Sequence, residues 1–289
     1  MSLDKCSSNK VFLFKRWIRL FPAMFISTIL IFTTSSFLDT RPAGVPELTS
    51  LIPGLTFIEP LWWSKLLGIN VVGLEGAFWS IYVEFKFYIV CSLVFFYLGR
   101  DKLVFTLLLL YVGSNIIAFS VVHIDNVFLH FAHNVSKALS LRYFGWFSAG
   151  AAFYLFHNTR KKSWFYLGVF ISLLSAIAIR KDFSIAPIVG AVLVSALFSI
   201  SLISTRLQSI LRSKFLLLFG LVSYPLYLIH DNAMISMITI SSYMTSSVPG
   251  YLVPVLPVII LTGTSYLIVK YGEPRLKKII VSHFENKSK

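Results

Sequence analysis

The sequence predicts an all-α, polytopic integral membrane protein, a bundle of about eight transmembrane helices with both termini cytoplasmic. Three observations carry this expectation. Hydrophobic residues fill 56% of the 289 positions and charged residues only 13%, about half the charged share of an average soluble domain. The apolar residues fall into runs of the length a bilayer demands, roughly 17–25 residues. The net charge of +14 lies between those runs and not in one patch, which argues for membrane topology and against a nucleic-acid partner.

Taken in order, the runs lie at about 17–37, 77–98, 103–121, 142–157, 164–180, 184–203, 215–238 and 250–271. The first follows a basic stretch and lacks the pattern of a signal peptide, so it is expected to stay in the mature chain. The connection 38–75 is punctuated by Pro42, Pro46, Pro53 and Pro60 and carries Leu61-Trp62-Trp63, an aromatic group suited to the headgroup level. Residues 62–72 within it read as an interfacial or re-entrant helix. The runs at 142–157 and 184–203 have the least sharply marked ends.

Placing alternate loops on opposite sides puts nineteen Lys and Arg residues on one side. They include Lys5, Arg16, Arg19, Arg100, Arg160, Lys161, Lys162, Arg212 and Lys278. Six lie on the other (Arg41, Lys65, Lys137, Arg142, Arg180, Lys181), and Lys86 falls inside a run. The basic side is the cytoplasmic one. An extra full span in 38–75 would reverse every later loop and break this parity. No internal repeat or appended soluble domain is visible, so residues 1–289 read as a single membrane domain. The two cysteines, Cys6 and Cys91, form neither a disulfide framework nor a metal-ligand set.

Three stretches carry candidate chemistry. In Trp79-Ser80-Ile81-Tyr82-Val83-Glu84-Phe85-Lys86-Phe87-Tyr88, helical spacing aligns Ser80, Glu84 and Tyr88 on one face. An acid inside an apolar span costs several kcal/mol by order of magnitude unless it faces a bundle interior or an aqueous cavity, and is a functional-site hypothesis by default. The plainer alternative is a hydrated Glu near the membrane surface beside Lys86.

In Phe14-Lys15-Arg16-Trp17-Ile18-Arg19-Leu20-Phe21-Pro22, Arg16 and Arg19 share a helix face, and Pro22 is least disruptive if the helix begins near it. Paired guanidinium forks at the inner membrane surface suit phosphates or pyrophosphate, although basic residues flank cytoplasmic helix ends generally and also meet anionic lipid heads.

In the seventh run, Gly220, Ser223, Tyr227 and His230 follow three-and-four spacing, and Pro225 is expected to kink the helix and free the Leu221 carbonyl. His230 then sits toward the outer end, like Ser80 and Glu84. The competing role for these polar groups is hydrogen bonding between helices. His123, Asp125, His130 and His133 lie in what reads as a loop and match no established ligand pattern, so no metal site is expected. No Gly-rich phosphate loop, Walker motif or nucleophile elbow occurs.

Five stretches together resemble the acyltransferase 3 family of polytopic membrane O-acyltransferases, which includes bacterial glycan O-acetylases. They are Arg16-Trp-Ile-Arg19-Leu-Phe-Pro22, Trp79-Ser80-Ile-Tyr-Val-Glu84-Phe-Lys-Phe87-Tyr88, Arg142-Tyr-Phe-Gly-Trp-Phe147-Ser-Ala-Gly150, Gly220-Leu-Val-Ser223-Tyr224-Pro-Leu-Tyr227-Leu-Ile-His230, and Glu273-Pro274. Each is weakly specific alone; in this order they cover nearly the whole chain.

The resemblance implies transfer of an acyl group, usually acetyl, from cytoplasmic acyl-CoA to a carbohydrate hydroxyl, with acyl-CoA as co-substrate and no bound cofactor. It implies that Arg16 and Arg19 hold the CoA phosphates. Trp79, Ser80, Tyr88, Ser223, Tyr224 and Tyr227 would line the transfer cavity, with Glu84 and His230 as the catalytic candidates. It also implies a bacterial inner membrane location, with membrane lipid and a cell-surface or lipid-linked glycan as partners.

The chain departs from that pattern in two places. Glu273 directly precedes Pro274, where the family usually has a basic residue between them. The family also normally opens with two further spans, the first bearing a histidine taken as the base, and Met1-Ser2-Leu3 leads straight into the basic loop that would follow them. The expectation is an N-terminally incomplete member that keeps the architecture and part of the CoA surface, with low or no activity alone. The rival readings are a transporter or flippase for a glycan or lipid, which should show inverted repeats and interrupted helices in matching halves, and a non-catalytic membrane remnant.

Overall fold

The computed structural model describes residues 3–178, 185–244 and 249–287. Among them there are fourteen α-helices and no strand. In chain order they are α1 (Asn9–Thr34), α2 (Leu51–Thr56), α3 (Pro60–Leu67), α4 (Trp79–Leu93), α5 (Leu103–His123), α6 (Val127–Ala138), α7 (Phe144–Thr159), α8 (Lys162–Ala178), α9 (Ala186–Ile203), α10 (Thr205–Leu211), α11 (Lys214–Ile229), α12 (Asp231–Met244), α13 (Val255–Leu267) and α14 (Glu273–Lys287).

Five stretches are long and apolar enough to cross a membrane: Asn9–Phe37, Gly76–Leu98, Arg100–His123, Ala186–Ile203 and Val255–Phe284. A sixth is reached if α10 and α11 form one broken span. The protein is a helical membrane protein. The predicted runs at 142–157 and 164–180 correspond to α7 and α8, which are shorter, at 16 and 17 residues. Arg180 and Lys181, counted above for topology, lie outside the described residues.

The chain packs as two compact units. One comprises 1–14 and 83–212, the other 15–82 and 213–289. In the first, α5 packs on α7, α7 on α8 and α8 on α9. Small residues allow the close approach of α7 and α8. A Cβ on Gly145 would lie 2.1 Å from Ser175 Oγ, and one on Gly168 would lie 2.8 Å from the Phe153 ring, the small-residue contact typical of membrane helices. Val104, Ala149, Ala152, Phe153 and Ile171 form the core there. Ser148 Oγ donates to the Val104 carbonyl at 2.9 Å and Tyr111 OH to the Leu174 carbonyl at 3.1 Å, so these two buried hydroxyls are satisfied across the helix interfaces. Leu109, Phe119, Val194 and Leu197 point outward, as side chains solvated by lipid do.

In the second unit, α11, α12 and α13 pack on one another, and α2 of the 38–75 connection packs on α1. A Cβ on Gly54 would stand 2.9 Å from Thr28 Oγ1, so only glycine lets α2 lie this close. The helix expected over 62–72 is α3, which begins at Pro60 and is ended by Gly68 in the left-handed region at φ 68°. Val71 N then donates to Ser64 Oγ at 2.9 Å and folds the chain back over α3.

Three expectations are corrected. The first helix does not begin near Pro22. It begins at Asn9, because the Lys- and Arg-rich approach is itself good helix sequence, and Pro22 is an internal residue. The seventh run is not one helix kinked at Pro225. The helix passes through Pro225 and breaks at His230, between α11 and α12. The histidine-bearing loop is a helix: Asn126 Oδ1 accepts from the amides of Phe128 and Leu129 at 2.9 and 3.3 Å and starts α6, which carries His130 and His133.

Candidate functional site

The break at His230 is made by two short segments that hold each other. The helical ladder of α11 closes with His230 N donating to the Leu226 carbonyl at 3.0 Å, and that of α12 opens with Met234 N donating to the His230 carbonyl at 2.8 Å. The Asn232 amide, which in an unbroken helix would go to the Leu228 carbonyl, donates instead to Glu75 Oε2 at 3.1 Å. Asn232 Nδ2 donates to the same oxygen.

In return, Asp231 Oδ2 accepts from the Ala77 amide at 3.0 Å, near the start of the span that holds α4. Tyr227 OH donates to the Ala77 carbonyl at 2.6 Å. Gly76 sits in the tightest part of this contact, where a Cβ would come within 2.9 Å of Asp231 Oδ2.

Behind this contact lies a buried ion pair. Arg41 Nη2 meets Glu75 Oε1 at 2.7 Å, with the two side chains 2% and 1% exposed, and also donates to the Leu74 carbonyl at 3.2 Å. Burial pushes the Glu75 carboxyl above the usual carboxylate range, against the opposing pull of the Asn232 hydrogen bonds and the Arg41 charge. Asn232 Oδ1 accepts from the Ala43 amide at 2.9 Å, and Thr40 and Ser236 share a hydroxyl hydrogen bond at 2.8 Å. The connection after α1 is thereby tied to α12.

His230 is half-buried, and its Nδ1 lies 2.9 Å from the Tyr227 carbonyl. A carbonyl oxygen only accepts, so in the neutral ring the proton is on Nδ1 and Nε2 carries a lone pair. Ser80 Oγ lies 2.7 Å from Tyr227 OH. The phenol's single proton is committed to the Ala77 carbonyl, so the serine is the donor in that pair. Ser80 and His230 are thus both held by Tyr227, the serine by its phenol and the imidazole by its backbone carbonyl. The same unit holds an apolar cavity of about 320 Å³ lined by Ile31, Thr34, Leu38, Ile229, Met237 and Leu261, into which none of the Ser80, Tyr227 and His230 side chains opens.

The other sequence-predicted residues fall in several places. Ser223 is exposed and donates to the Gly220 carbonyl at 2.8 Å, within its own helix. Tyr224 OH donates to the Leu20 carbonyl at 3.1 Å and joins α11 to α1. Trp79 is half exposed at the start of α4. Arg16 and Arg19 lie on α1, with Arg16 half-buried and Arg19 exposed.

In the first unit, Tyr88 OH donates to Glu84 Oε1 one turn earlier, so the intramembrane acid is satisfied within its own helix. The Tyr88 ring sits edge-on to Phe12 at 6.1 Å, and Phe87 stacks on Phe147 at 3.8 Å. Lys86 Nζ donates to Ser140 Oγ at 3.1 Å. His130 Nε2 meets Asp125 Oδ1 at 3.2 Å on an exposed surface. Among the described residues no three His, Cys, Asp or Glu side chains gather as a metal site would need.

No protein-family model matches the chain, and no curated protein or solved structure does. The chemistry is therefore read from these residues themselves.

Sequence reasoning passed over Arg41, Glu75, Asp231 and Asn232. Arg41 entered only as a topological charge and Glu75 only as the end of a loop. The available signal was Asp231-Asn232 inside an apolar run: two adjacent residues whose side chains compete with the helical backbone, directly after a histidine.

Proposed function

We propose that this chain is a membrane O-acyltransferase that moves an acyl group, acetyl in the simplest case, from acyl-CoA to a hydroxyl of a cell-surface or lipid-linked carbohydrate. In this reading it lies in a bacterial inner membrane with eight spans and both termini cytoplasmic. The observation that carries the proposal is the state of His230, whose Nδ1 is anchored on the Tyr227 carbonyl so that Nε2 is left as a proton acceptor. The five stretches that resemble acyltransferase 3 sequences, which include His230, Arg16 and Arg19, support it.

The chemistry is a displacement at a thioester. Nε2 takes the proton of the acceptor hydroxyl as its oxygen forms a bond to the acyl carbon. The carbon–sulfur bond then breaks, and the CoA thiolate leaves and recovers the proton from the imidazolium. The Arg16 and Arg19 guanidiniums, three residues apart on α1, bind the CoA phosphates as bidentate forks. Glu84, held by Tyr88, is the second ionisable group of the reading.

Calorimetric titration of the purified chain with acetyl-CoA tests this. Binding is expected, with Arg16→Ala and Arg19→Ala each weakening it about 10- to 100-fold, the loss of a charged hydrogen bond. Absence of binding, or equal binding by wild type and the double variant, refutes the proposal and favours a transporter or a non-catalytic subunit.

A further inference from the structure

We propose that Glu75 is a positioning residue for His230: by capturing the Asn232 amide it holds the helix open, and the open helix leaves the Tyr227 carbonyl available to the imidazole. This rests on the transferase reading for its catalytic meaning, although the structural link stands on its own.

The link follows from hydrogen-bond arithmetic. In a continuous helix each carbonyl accepts from the amide four residues later. The Tyr227 carbonyl would then take the Asp231 amide, and the Leu228 carbonyl the Asn232 amide. Here the Asn232 amide lies 3.1 Å from Glu75 Oε2, its side-chain amide is bound to the same oxygen, and the Tyr227 carbonyl accepts His230 Nδ1 at 2.9 Å. Asp231 is held from outside its helix as well, its carboxylate accepting from the Ala77 amide at 3.0 Å.

Glu75 is itself fixed by Arg41 at 2.7 Å through its other oxygen. The carboxylate therefore uses one oxygen as an anchor and the other as the wedge. Without the wedge, the buried Asn232 amide loses its acceptor, and closing the helix onto the Leu228 carbonyl is the backbone's way to satisfy it. Closure brings the Asp231 amide onto the Tyr227 carbonyl, where it competes with the imidazole for the oxygen and loosens the hold on the ring's tautomer.

The role differs from a purely stabilising one in what it predicts for the ring. With ¹³C,¹⁵N-histidine incorporated and the His230 signal assigned by His230→Gln, wild type at a pH where the ring is neutral is expected to show Nδ1 protonated and Nε2 bare. Glu75→Ala is expected to convert this signal to a mixture of tautomers. Asn232→Ala, which removes the side-chain half of the contact and leaves the amide, is expected to shift it in the same direction by less. Glu75→Gln, whose carbonyl oxygen still accepts from Asn232, is expected to restore most of the wild-type signal.

Wild-type tautomer signals in both Glu75→Ala and Asn232→Ala overturn the proposal. If Glu75→Ala does not yield folded protein, Asn232→Ala alone decides. Acetyl transfer to a glycan acceptor is measured on the same samples. In Glu75→Ala, kcat is expected to fall on the order of 10- to 100-fold, the cost of a misplaced catalytic group, with KM for acetyl-CoA within about twofold. No transfer by wild type, with the tautomer shift present, removes the transferase reading and leaves the positioning link in place.

Discussion

Replacing Arg41 with methionine isolates the energetic role of the buried ion pair. Arg41→Met keeps an unbranched, apolar side chain of similar length but removes the cation 2.7 Å from a carboxylate that is 1% exposed. It also removes a donor from the Leu74 carbonyl. Breaking a buried pair from one side strands the remaining charge, at a cost of about 3–5 kcal/mol.

The effect should depend on pH in a defined direction. Burial already raises the Glu75 carboxyl above its ordinary value, with the Asn232 hydrogen bonds and the Arg41 charge opposing the rise, so losing Arg41 raises it further. For a group raised in the folded state, the stability linked to protonation is fully present below the unfolded pKa and is lost as pH rises through the folded one. In a series run from about pH 8 to about pH 5, the deficit of Arg41→Met is therefore widest at the alkaline end and narrows toward the acid end, the direction in which Glu75 takes up its proton.

Chemical unfolding in detergent, followed by tryptophan fluorescence across that range, reads both features. The double variant Arg41→Met/Glu75→Gln, with no charge left to strand, is expected to lose only about 1–3 kcal/mol, with no pH trend from this site. A single-variant deficit below about 1 kcal/mol at pH 8, or one that is the same at both ends of the range, refutes the reasoning.

Two further outcomes follow from single contacts. Gly145→Ala places a Cβ 2.1 Å from Ser175 Oγ and 3.1 Å from the Tyr111 ring. It is expected to cost about 1–3 kcal/mol in the same unfolding assay through overpacking of α7 on α8, and adding Ser175→Ala should recover part of the loss if the hydroxyl is the obstacle. Tyr227→Phe removes the donor to the Ala77 carbonyl and the acceptor of Ser80. It should cost about 0.5–1.5 kcal/mol while leaving the His230 tautomer signal unchanged, because the imidazole is held by the backbone carbonyl and not by the phenol.

The apolar runs made the helical membrane architecture legible, because a bilayer imposes a length and a composition that no local detail alters. Helix ends were less legible. Hydropathy cannot see that Asn9 to Arg19 continues the first helix, since basic residues are poor membrane formers and good helix formers at once. It also cannot see a break inside an apolar run. Pro225 drew attention as the breaker by its missing amide, yet the chain passes through it and opens at His230, where a side chain from a distant loop intercepts an amide.

The same limit governs the candidate site. Tyr227 and His230 could be aligned by helical spacing, as Ser80 and Glu84 could in their own span, because spacing is a local property. Glu75 and Asn232 could not be paired, because nothing in either neighbourhood encodes the other. Ser223 had the right spacing, yet its hydroxyl is spent on its own helix.

The contact between Glu75 and Asn232 also orders the protein's assembly. Arg41 and Glu75 are 34 residues apart and are both made early, whereas Asn232 follows Glu75 by 157 residues. At synthesis rates of about 5–20 residues per second, Glu75 waits roughly 8–30 s for its second partner. During that interval the carboxylate must stay hydrated or pair with Arg41 alone, and α4 is laid down before the segment that will pin its start exists. The break that presents His230 is therefore a late event in biogenesis. A chain halted before residue 232 would carry Ser80, Glu84 and both arginines of α1 without the geometry that fixes the imidazole.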